Sequence, residues 1–188
     1  MASTARELTR DAVRTRLAEA AFNHFLAHGF AESTAEDAAL AAGVSRATFF
    51  RYFRTKDDAV IVAMQSTDLD YASLLRESDL RDGSPWPHLR RAFEPAVLAA
   101  DAEPDRSLAK ARMITSIPSL RAHLTERRSA QEQRLADVLA EQLGDGLRAK
   151  VLASTAIAGF DLAWRESSAS GTSLRECLDR VFEVLAAH

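Results

Sequence analysis

Cysteine, long apolar runs and strand-like patterning are scarce in this sequence. Cys177 is the one cysteine among 188 residues, so no internal disulfide can form, which is typical of a protein from a reducing cytoplasm. The longest uncharged, largely apolar run, Val151 to Phe160, is far too short to span a membrane. The opening segment, MASTARELTRDAVR, has no apolar core and is not expected to be a signal peptide. Because apolar and polar residues do not alternate with a period of two, we predict an all-α fold.

Motifs of catalysis and cofactor binding are also scarce. The sequence has no glycine-rich phosphate loop. The segment G-V-S-R-A resembles a nucleophile elbow only superficially, because it has no final glycine and follows no predicted strand. His24 and His28 are four residues apart, but an exposed helix face explains them better than a metal site without a third ligand. We therefore expect no catalytic residue, no metal and no cofactor, although an enzyme remains an alternative that an activity assay would revive.

Positive charge is concentrated in one short segment. The formal net charge is −3, so the overall charge does not indicate nucleic-acid binding. Between Arg46 and Lys56, however, there are four basic residues and no acidic one. A local basic stripe is the electrostatic signature that DNA-binding surfaces carry.

The basic stripe lies in a segment that predicts two short helices joined by a tight turn, TAEDAALAAGVSRATFFRYF, residues 34–53. Thr34 is a helix cap and, with the acidic residues that follow it, approximates a capping box. Gly43 suits the left-handed conformation that ends a helix. Ser45 caps the second helix, so the turn has the length of a helix–turn–helix. A solvated basic hairpin is the simpler alternative, but caps, glycine, spacing and charge together favour DNA binding.

The second helix has residues suited to reading bases at its start. Arg46 can donate paired hydrogen bonds to guanine, and Ala47 or Thr48 can touch a thymine methyl group. Phe49 and Phe53 are four residues apart and are predicted to face the core. Arg54 and Lys56 are placed for phosphate, which Thr55 and the helix that it caps could help to hold.

The segment GVSRATFFRYFRTKDD resembles the recognition region of the tetracycline-repressor (TetR) family, whose usual form is A-G-V-S-x-x-T-[LF]-Y-x-[HY]-F-x-[SN]-K-[ED]. The resemblance runs from about Thr9 to Val60. It implies a homodimeric transcriptional regulator, most often a repressor, bound to a palindromic operator in double-stranded DNA. Phe50 departs from the family's usual tyrosine, so a phenol–phosphate bond is missing there. Together, the helix pattern and the resemblance predict that the DNA-binding residues are Thr34, Ser45, Arg46, Ala47, Thr48, Phe50, Arg51, Tyr52 and Lys56.

The remaining sequence predicts a larger helical body. We place a helix–turn–helix domain over residues 9–55, after a loose tail at 1–8, and a regulatory and dimerisation domain over 56–188. About nine helices are expected in all, of which the later ones cover roughly 56–75, 85–100 with a break at Pro95, 103–116, 118–143, 147–168 and the segment after a cap at Ser173.

The last two helices are predicted to form a homodimer interface as a four-helix bundle. The helix over 147–168 is rich in small residues that permit close contact, among them Ser154, Ala158 and Gly159. A twofold dimer would also double the DNA sequence that is read. An ordinary monomer core is the alternative.

The body also contains candidates for an effector site. The segment RMITSIPSLRAHL, with a late tryptophan in AGFDLAW, resembles the C-terminal domain of mycofactocin-type regulators. That resemblance implies an acyl-CoA-like or other hydrophobic effector in an elongated apolar pocket, with Arg112 and Arg121 at an anion-binding mouth. The candidate ligand residues are Phe93, Arg112, Met113, Arg121, Phe160 and Trp164.

Simpler explanations exist for these residues. The large apolar side chains can fill a core rather than line a cavity. Arg112 can pair with Glu103 or Asp105 or face water, and Asp161 has an i,i+4 partner in Arg165. Cys177, in an amphipathic pattern, is better explained as a packing residue than as a redox sensor. The second functional alternative is a DNA-binding regulator whose body only dimerises or binds a protein and senses no small molecule.

Overall fold

In the computed structural model, which describes residues 5–66, 69–80 and 83–187, the chain is helical and the described part has no strand. This confirms the predicted all-α fold, with eleven helices in the described residues where about nine were expected. The helices are α1 Ala5–His28, α2 Ala35–Ala41, α3 Arg46–Tyr52, α4 Lys56–Ser66, α5 Tyr71–Arg76, α6 Trp86–Ala92, α7 Glu94–Ala102, α8 Pro104–Ser116, α9 Pro118–Leu143, α10 Gly146–Ser170 and α11 Leu174–Ala186. No helix in these ranges has the length and apolar character needed to cross a membrane.

The differences from the predicted helices have local causes. The expected tail over residues 1–8 is helical from Ala5 onward, and residues 1–4 lie outside the described part. The single helix predicted over 56–75 is wrong, because α4 ends at Ser66 and Asp70 caps a separate α5 by accepting a hydrogen bond from the Ser73 amide at 3.3 Å. The expected break near Pro95 is confirmed, since α6 and α7 meet at Phe93.

The first compact unit comprises residues 1–68 and 113–123. In it α1 packs against α2 and α4, and α2 packs against α3. Buried aromatic side chains fill the space between the helices, and the Phe49 and Phe53 rings lie 4.9 Å apart. Ser119, at the start of α9, donates a hydrogen bond to Asp57 in the first turn of α4. This unit is called the head below.

The second compact unit, called the body below, comprises residues 69–112 and 124–188. Its core is formed by side chains of α5, α6, α7, α9, α10 and α11. Gly159 lets α10 approach α11 closely, because a Cβ there would lie 3.1 Å from Cγ1 of Val181. Arg175 on α11 pairs with Glu94 at 2.6 Å and with Asp101 at 2.9 Å, which ties α11 to α7. Burial opposes ionisation of Glu94, but hydrogen bonds from Arg175 and Arg90 outweigh it and keep the Glu94 pKa below its ordinary value.

Candidate DNA-binding surface and effector site

The start of α2 is fixed by the capping box that the sequence indicates. The Thr34 hydroxyl oxygen accepts a hydrogen bond from the Asp37 amide at 3.1 Å, and the Thr34 amide donates to the Asp37 carboxylate at 2.8 Å. Hydrogen bonds from the Thr34 side chain and then its backbone lower the pKa of Asp37. Two reciprocal bonds hold the entry to the helix–turn–helix in one conformation. The predicted contact of Thr34 with DNA remains a prediction.

The turn between α2 and α3 has the geometry expected of Gly43. Its φ is +72°, and nothing lies within 4 Å of a Cβ placed there, so the backbone conformation and not space favours glycine. Ser45 then caps α3, accepting a hydrogen bond from the Thr48 amide at 3.2 Å. The turn is thus short and well defined, and it presents the first residues of α3 at the surface.

Helix α3 separates a buried face from an exposed one. Phe49 is fully buried, as predicted, and Phe53, the residue that follows the helix, is buried beside it. Exposed or partly exposed positions of the helix–turn–helix carry the predicted DNA-binding side chains. The exposed members are Thr34, Ser45, Arg46, Ala47, Phe50 and Arg51, and the partly buried ones are Thr48, Tyr52 and Lys56. The basic and base-reading side chains of α3 therefore lie on an accessible surface of the head.

Arg46 has two neighbours that the sequence alone did not reveal. Its Nε lies 2.7 Å from Oε1 of Glu36 on α2, and its guanidinium carbon lies 5.6 Å from the centre of the Phe50 ring. Phe50 is 41% exposed and makes an edge contact with buried Phe49 at 6.0 Å. Glu36 is an acidic residue in the first turn of α2, where its charge suits the positive end of the helix dipole. It also pairs with the arginine that is predicted to read guanine.

Lys56 has a structural role beyond its predicted phosphate contact. Its ammonium group donates hydrogen bonds to the carbonyl oxygens of Phe30, at 2.5 Å, and Ser33, at 3.0 Å. It also lies 4.2 Å from the centre of the Phe30 ring. Two of its three N–H donors thus hold the loop between α1 and α2 against the start of α4. A phosphate contact, which remains a prediction, would use the third.

His24 and His28, the two histidines four residues apart on α1, contact each other. The His24 and His28 rings stack 4.4 Å apart, and Nδ1 of His28 lies within hydrogen-bond distance, 3.1 Å, of the His24 carbonyl oxygen. Within residues 5–66, 69–80 and 83–187, no three histidine, cysteine or acidic side chains are placed to hold a metal ion. The i,i+4 spacing on one helix places the two rings in contact.

The body holds an aromatic cluster where an effector site was predicted. The Phe93 and Phe160 rings stack 4.4 Å apart at an angle of 8°, and Trp164 meets Phe160 edge-on at 6.5 Å. Tyr71 and Phe182 border the same stack. Phe93 and Phe160 are almost completely buried. Here these rings fill space rather than line an opening.

The other candidate effector residues are distributed differently. Arg112 is exposed on the α8 part of the body, whereas buried Met113 and exposed Arg121 belong to the head segment 113–123. Two open depressions lie on the head, and none of the six candidates borders either of them. The depressions are bordered by Glu7, Arg10, Asp11, Arg14, Tyr52, Arg54 and Asp58, and by Val13, Arg16, Leu17, Ala20, Ala41, Ala42 and Gly43.

Asp161 has a different partner from the one expected. Its carboxylate lies 2.7 Å from Nε of Arg128 on α9, so the expected pairing with Arg165 is wrong. The Arg128 guanidinium lies 4.6 Å from the Phe160 ring centre and donates a hydrogen bond to Gln131 at 2.9 Å. The Asp161 contact is an ion pair rather than an aligned hydrogen bond. Sequence spacing gave no sign of it, because the two residues lie on separate helices, α9 and α10, and not at i,i+4 positions of one helix.

Basic residues gather near Arg128. Burial, and to a smaller extent the nearby charges of Arg127, Arg106 and Arg128, lower the pKa of Lys110 to about 8. Cys177 is buried, and burial raises its thiol pKa, which agrees with the predicted packing role.

Helix α10 divides its small and apolar residues between two faces. Ala156, Gly159 and Ala163 are buried within the body. A second face, defined by Leu147, Val151, Ser154, Ala158 and Leu162 and called the outer α10 face below, is exposed. Leu147 and Val151 are 75% and 56% exposed, and Val184 on α11 is 62% exposed. The described chain thus leaves an apolar stripe without cover in a single protomer.

Comparisons with known proteins agree with this architecture. A family model described as "Bacterial regulatory proteins, tetR family" matches residues 17–61, and one described as "MftR C-terminal domain" matches residues 83–188. A Mycobacterium tuberculosis protein that carries the name mycofactocin biosynthesis transcriptional regulator MftR is 28% identical over 183 residues, covering 91% of this chain and 88% of its own.

Two solved structures extend the comparison. The Bacillus subtilis regulator FadR, in complex with stearoyl-CoA, matches with a TM-score of 0.64 and 18% identity over 92% of this chain and 97% of its own. Thermus thermophilus FadR, a TetR-family repressor in complex with lauroyl-CoA, matches with a TM-score of 0.51 and 27% identity over 92% of both chains. TetR-family proteins are DNA-binding regulators and not enzymes. The chain belongs to the TetR family of bacterial transcriptional regulators, with a C-terminal domain of the MftR type.

Proposed function

We propose that this protein is a homodimeric, ligand-responsive repressor that binds a palindromic operator and leaves it when a hydrophobic or amphipathic effector binds the body. The observation that carries the DNA-binding part is the exposed start of α3. There Arg46, Ala47 and Thr48 lie at the surface, held by the Ser45 cap and the buried Phe49. A helix end of this composition fits the major groove, where its side chains meet base edges.

The proposed roles of the DNA-binding side chains follow from their chemistry. Arg46 reads a guanine, Ala47 and Thr48 touch thymine methyl groups, and Arg51, Tyr52 and Lys56 bind the sugar–phosphate backbone. Thr34 and Ser45 add contacts to phosphate from the two helix starts, and Phe50 packs against sugar. Because phosphate contacts carry little sequence information, specificity depends on the first residues of α3. The proposed DNA-binding domain is residues 9–55, and residues 56–188 are the regulatory and dimerisation domain.

Dimerisation is proposed through α10 and α11. The outer α10 face has residues at helical spacing, and a twofold partner that packs the same face against it would bury Leu147, Val151 and Leu162. The small residues Ser154 and Ala158, which lie between Val151 and Leu162 on this face, would let the partner's helix approach closely.

A charge in the middle of that face tests the dimer. Ala158→Glu is expected to convert the protein to a monomer in sedimentation experiments and to weaken operator binding by at least about tenfold, because one head reads only a half-site. Leu98→Glu on α7 places the same charge at another exposed apolar position and is expected to leave the dimer intact. A dimer that persists in Ala158→Glu would contradict this interface.

The effector is proposed to be an acyl-CoA-like or other amphipathic molecule. Support comes from the MftR-type C-terminal domain and from the acyl-CoA complexes of the two FadR regulators. An acyl chain would enter beside Phe93, Phe160 and Trp164 by separating the stacked rings, with arginine side chains available for its anionic part. Arg112, Met113 and Arg121 remain candidate contacts.

A ligand screen tests this part of the proposal. Acyl-CoAs of increasing chain length are expected to raise the melting temperature and to release the operator, since a ligand that binds the folded state stabilises it. Phe160→Ala should remove the stabilisation by long chains.

A regulator that senses no small molecule is the second candidate. The observation that favours it is the filled aromatic cluster, in which Phe93 and Phe160 are fully packed. Operator binding that no acyl-CoA or hydrophobic metabolite alters, without any shift in melting temperature, would establish this alternative.

A further inference from the structure

We propose that Glu36 is a specificity-determining residue that, together with Phe50, holds the Arg46 guanidinium in the orientation that reads guanine. The inference rests on the proposed contact of Arg46 with a base. It assigns to α2, which precedes the recognition helix, a part in sequence discrimination.

The first observation is the ion pair between the two helices. Oε1 of Glu36 lies 2.7 Å from Nε of Arg46, a short contact between the first turn of α2 and the first residue of α3. The shortest contact of this ion pair is at Nε and not at the two terminal nitrogens of Arg46. Those are the donors that can meet O6 and N7 of a guanine side by side.

The second observation is the aromatic platform beneath the guanidinium. The Arg46 guanidinium carbon lies 5.6 Å from the Phe50 ring centre, within the range of a cation–π contact. Phe50 in turn touches the fully buried Phe49 edge-on at 6.0 Å. The platform is therefore anchored in the core of the head, so it supports Arg46 through a packed side chain.

The departure of Phe50 from the family pattern fits this role. A tyrosine at that position would direct its hydroxyl group toward a phosphate, whereas phenylalanine has only its ring face and edge to offer. In this chain the ring face lies against Arg46. The loss of one phosphate contact is thus matched by a support for the base-reading arginine.

The carboxylate should act on specific and non-specific binding in opposite directions. Glu36 is half exposed and lies beside the arginine that is proposed to read a base, so its charge would repel phosphates and disfavour alternative poses in which Arg46 reaches the backbone. Removing it should weaken recognition of the correct base while strengthening binding to unrelated DNA. A change that merely destabilised the head would weaken binding to the operator and binding to unrelated DNA alike.

The capping function of α2 does not depend on Glu36. The reciprocal hydrogen bonds at the start of that helix join Thr34 and Asp37. Substituting Glu36 therefore leaves the capping box in place, and the variant is expected to fold.

The experiment begins with the full-length wild-type protein and a random duplex library, from which the preferred operator is selected. Binding of Glu36→Ala, Glu36→Gln and wild type is then measured on the selected duplex, on duplexes with each guanine replaced by adenine, and on unrelated DNA. Glu32→Ala, on the loop before α2, is the control that removes the same charge from the head and leaves the Glu36–Arg46 pair intact.

At one guanine in each half-site, the wild type is expected to bind the duplex with guanine about tenfold or more tighter than the duplex with adenine. For Glu36→Ala this preference is expected to be less than about threefold. Glu36→Ala should bind unrelated DNA at least as tightly as the wild type. Glu36→Gln keeps an oxygen acceptor for Arg46 and should retain an intermediate preference. Glu32→Ala should discriminate like the wild type.

Full discrimination by Glu36→Ala at every guanine would overturn the inference. Equal weakening on operator and unrelated DNA would also overturn it, since that pattern indicates a general structural effect. A wild-type protein that selects no duplex at all would refute the proposed function itself, and this inference with it. Wild-type selection without an effect of Glu36 would refute only the inference.

Discussion

Replacing Lys56 by methionine should loosen the head, because its ammonium group ties the loop between α1 and α2 to the start of α4. Two hydrogen bonds are lost, to the carbonyl oxygens of Phe30 and Ser33, together with the contact to the Phe30 ring. A hydrogen bond from a charged donor contributes about 1.5–3 kcal/mol and a cation–π contact about 0.5–1 kcal/mol. Methionine keeps the apolar part of the side chain, and the energies of neighbouring contacts do not add fully. We therefore expect the free energy of unfolding of the head to fall by about 2–4 kcal/mol.

Hydrogen–deuterium exchange of the full-length chain measures this effect locally. A loss of about 2–4 kcal/mol corresponds to exchange that is roughly 30- to 1000-fold faster in the amides of α1, α2 and α4. Arg51→Met removes one positive charge from the same head, at an exposed position of α3, and should leave those amides unchanged. Protection in Lys56→Met equal to that of the wild type would refute the assignment of Lys56 as an internal tie.

Two further predictions concern charge. Arg51→Ala should weaken binding to all DNA sequences alike and reduce the slope of log affinity against log salt by about 0.9 per head, so an effect confined to one operator would contradict a phosphate contact. Lys110 should destabilise the body at neutral pH, because its pKa in the folded state is about 8 instead of 10.5. The lowered pKa corresponds to a destabilisation of the folded state by about 3 kcal/mol, which is present in full well below pH 8. This destabilisation disappears as the pH rises from 8 to 10.5, because over that range the unfolded state binds more protons than the folded state. Lys110→Met should therefore be more stable than the wild type to urea at pH 7.5, by a margin that narrows toward pH 10; a margin independent of pH would contradict the reasoning.

The sequence was most informative where local chemistry decides the structure. The caps at Thr34 and Ser45 and the left-handed turn at Gly43 depend on a few adjacent residues, and all three are confirmed. The bounds of α9 were also predicted, because Pro118 starts that helix and Gly144 follows its end.

Features that depend on contacts between separate helices were not predicted. The pairing of Arg128 with Asp161 joins α9 to α10, and no spacing rule points to it. The pair of Glu36 and Arg46 lies across the turn of the motif, where helical i,i+4 rules do not apply.

Small residues of α10 show the same limit. Composition indicated close helix contact, but it did not show that Gly159 faces α11 of the same chain while Ala158 lies on the outer α10 face. Which small residues of α10 face α11 and which lie on the outer α10 face can be told only from the packing of α11.

Guanine analogues test most directly whether the start of α3 reads bases through Arg46. Replacing each guanine of the selected operator by 7-deazaguanine removes the N7 acceptor and leaves the base pair intact. We predict a loss of about 2- to 10-fold in wild-type affinity at one guanine in each half-site, and no loss at that position for Arg46→Ala. An operator that tolerates the analogue at every position, or an equal loss with and without the arginine, would contradict the account.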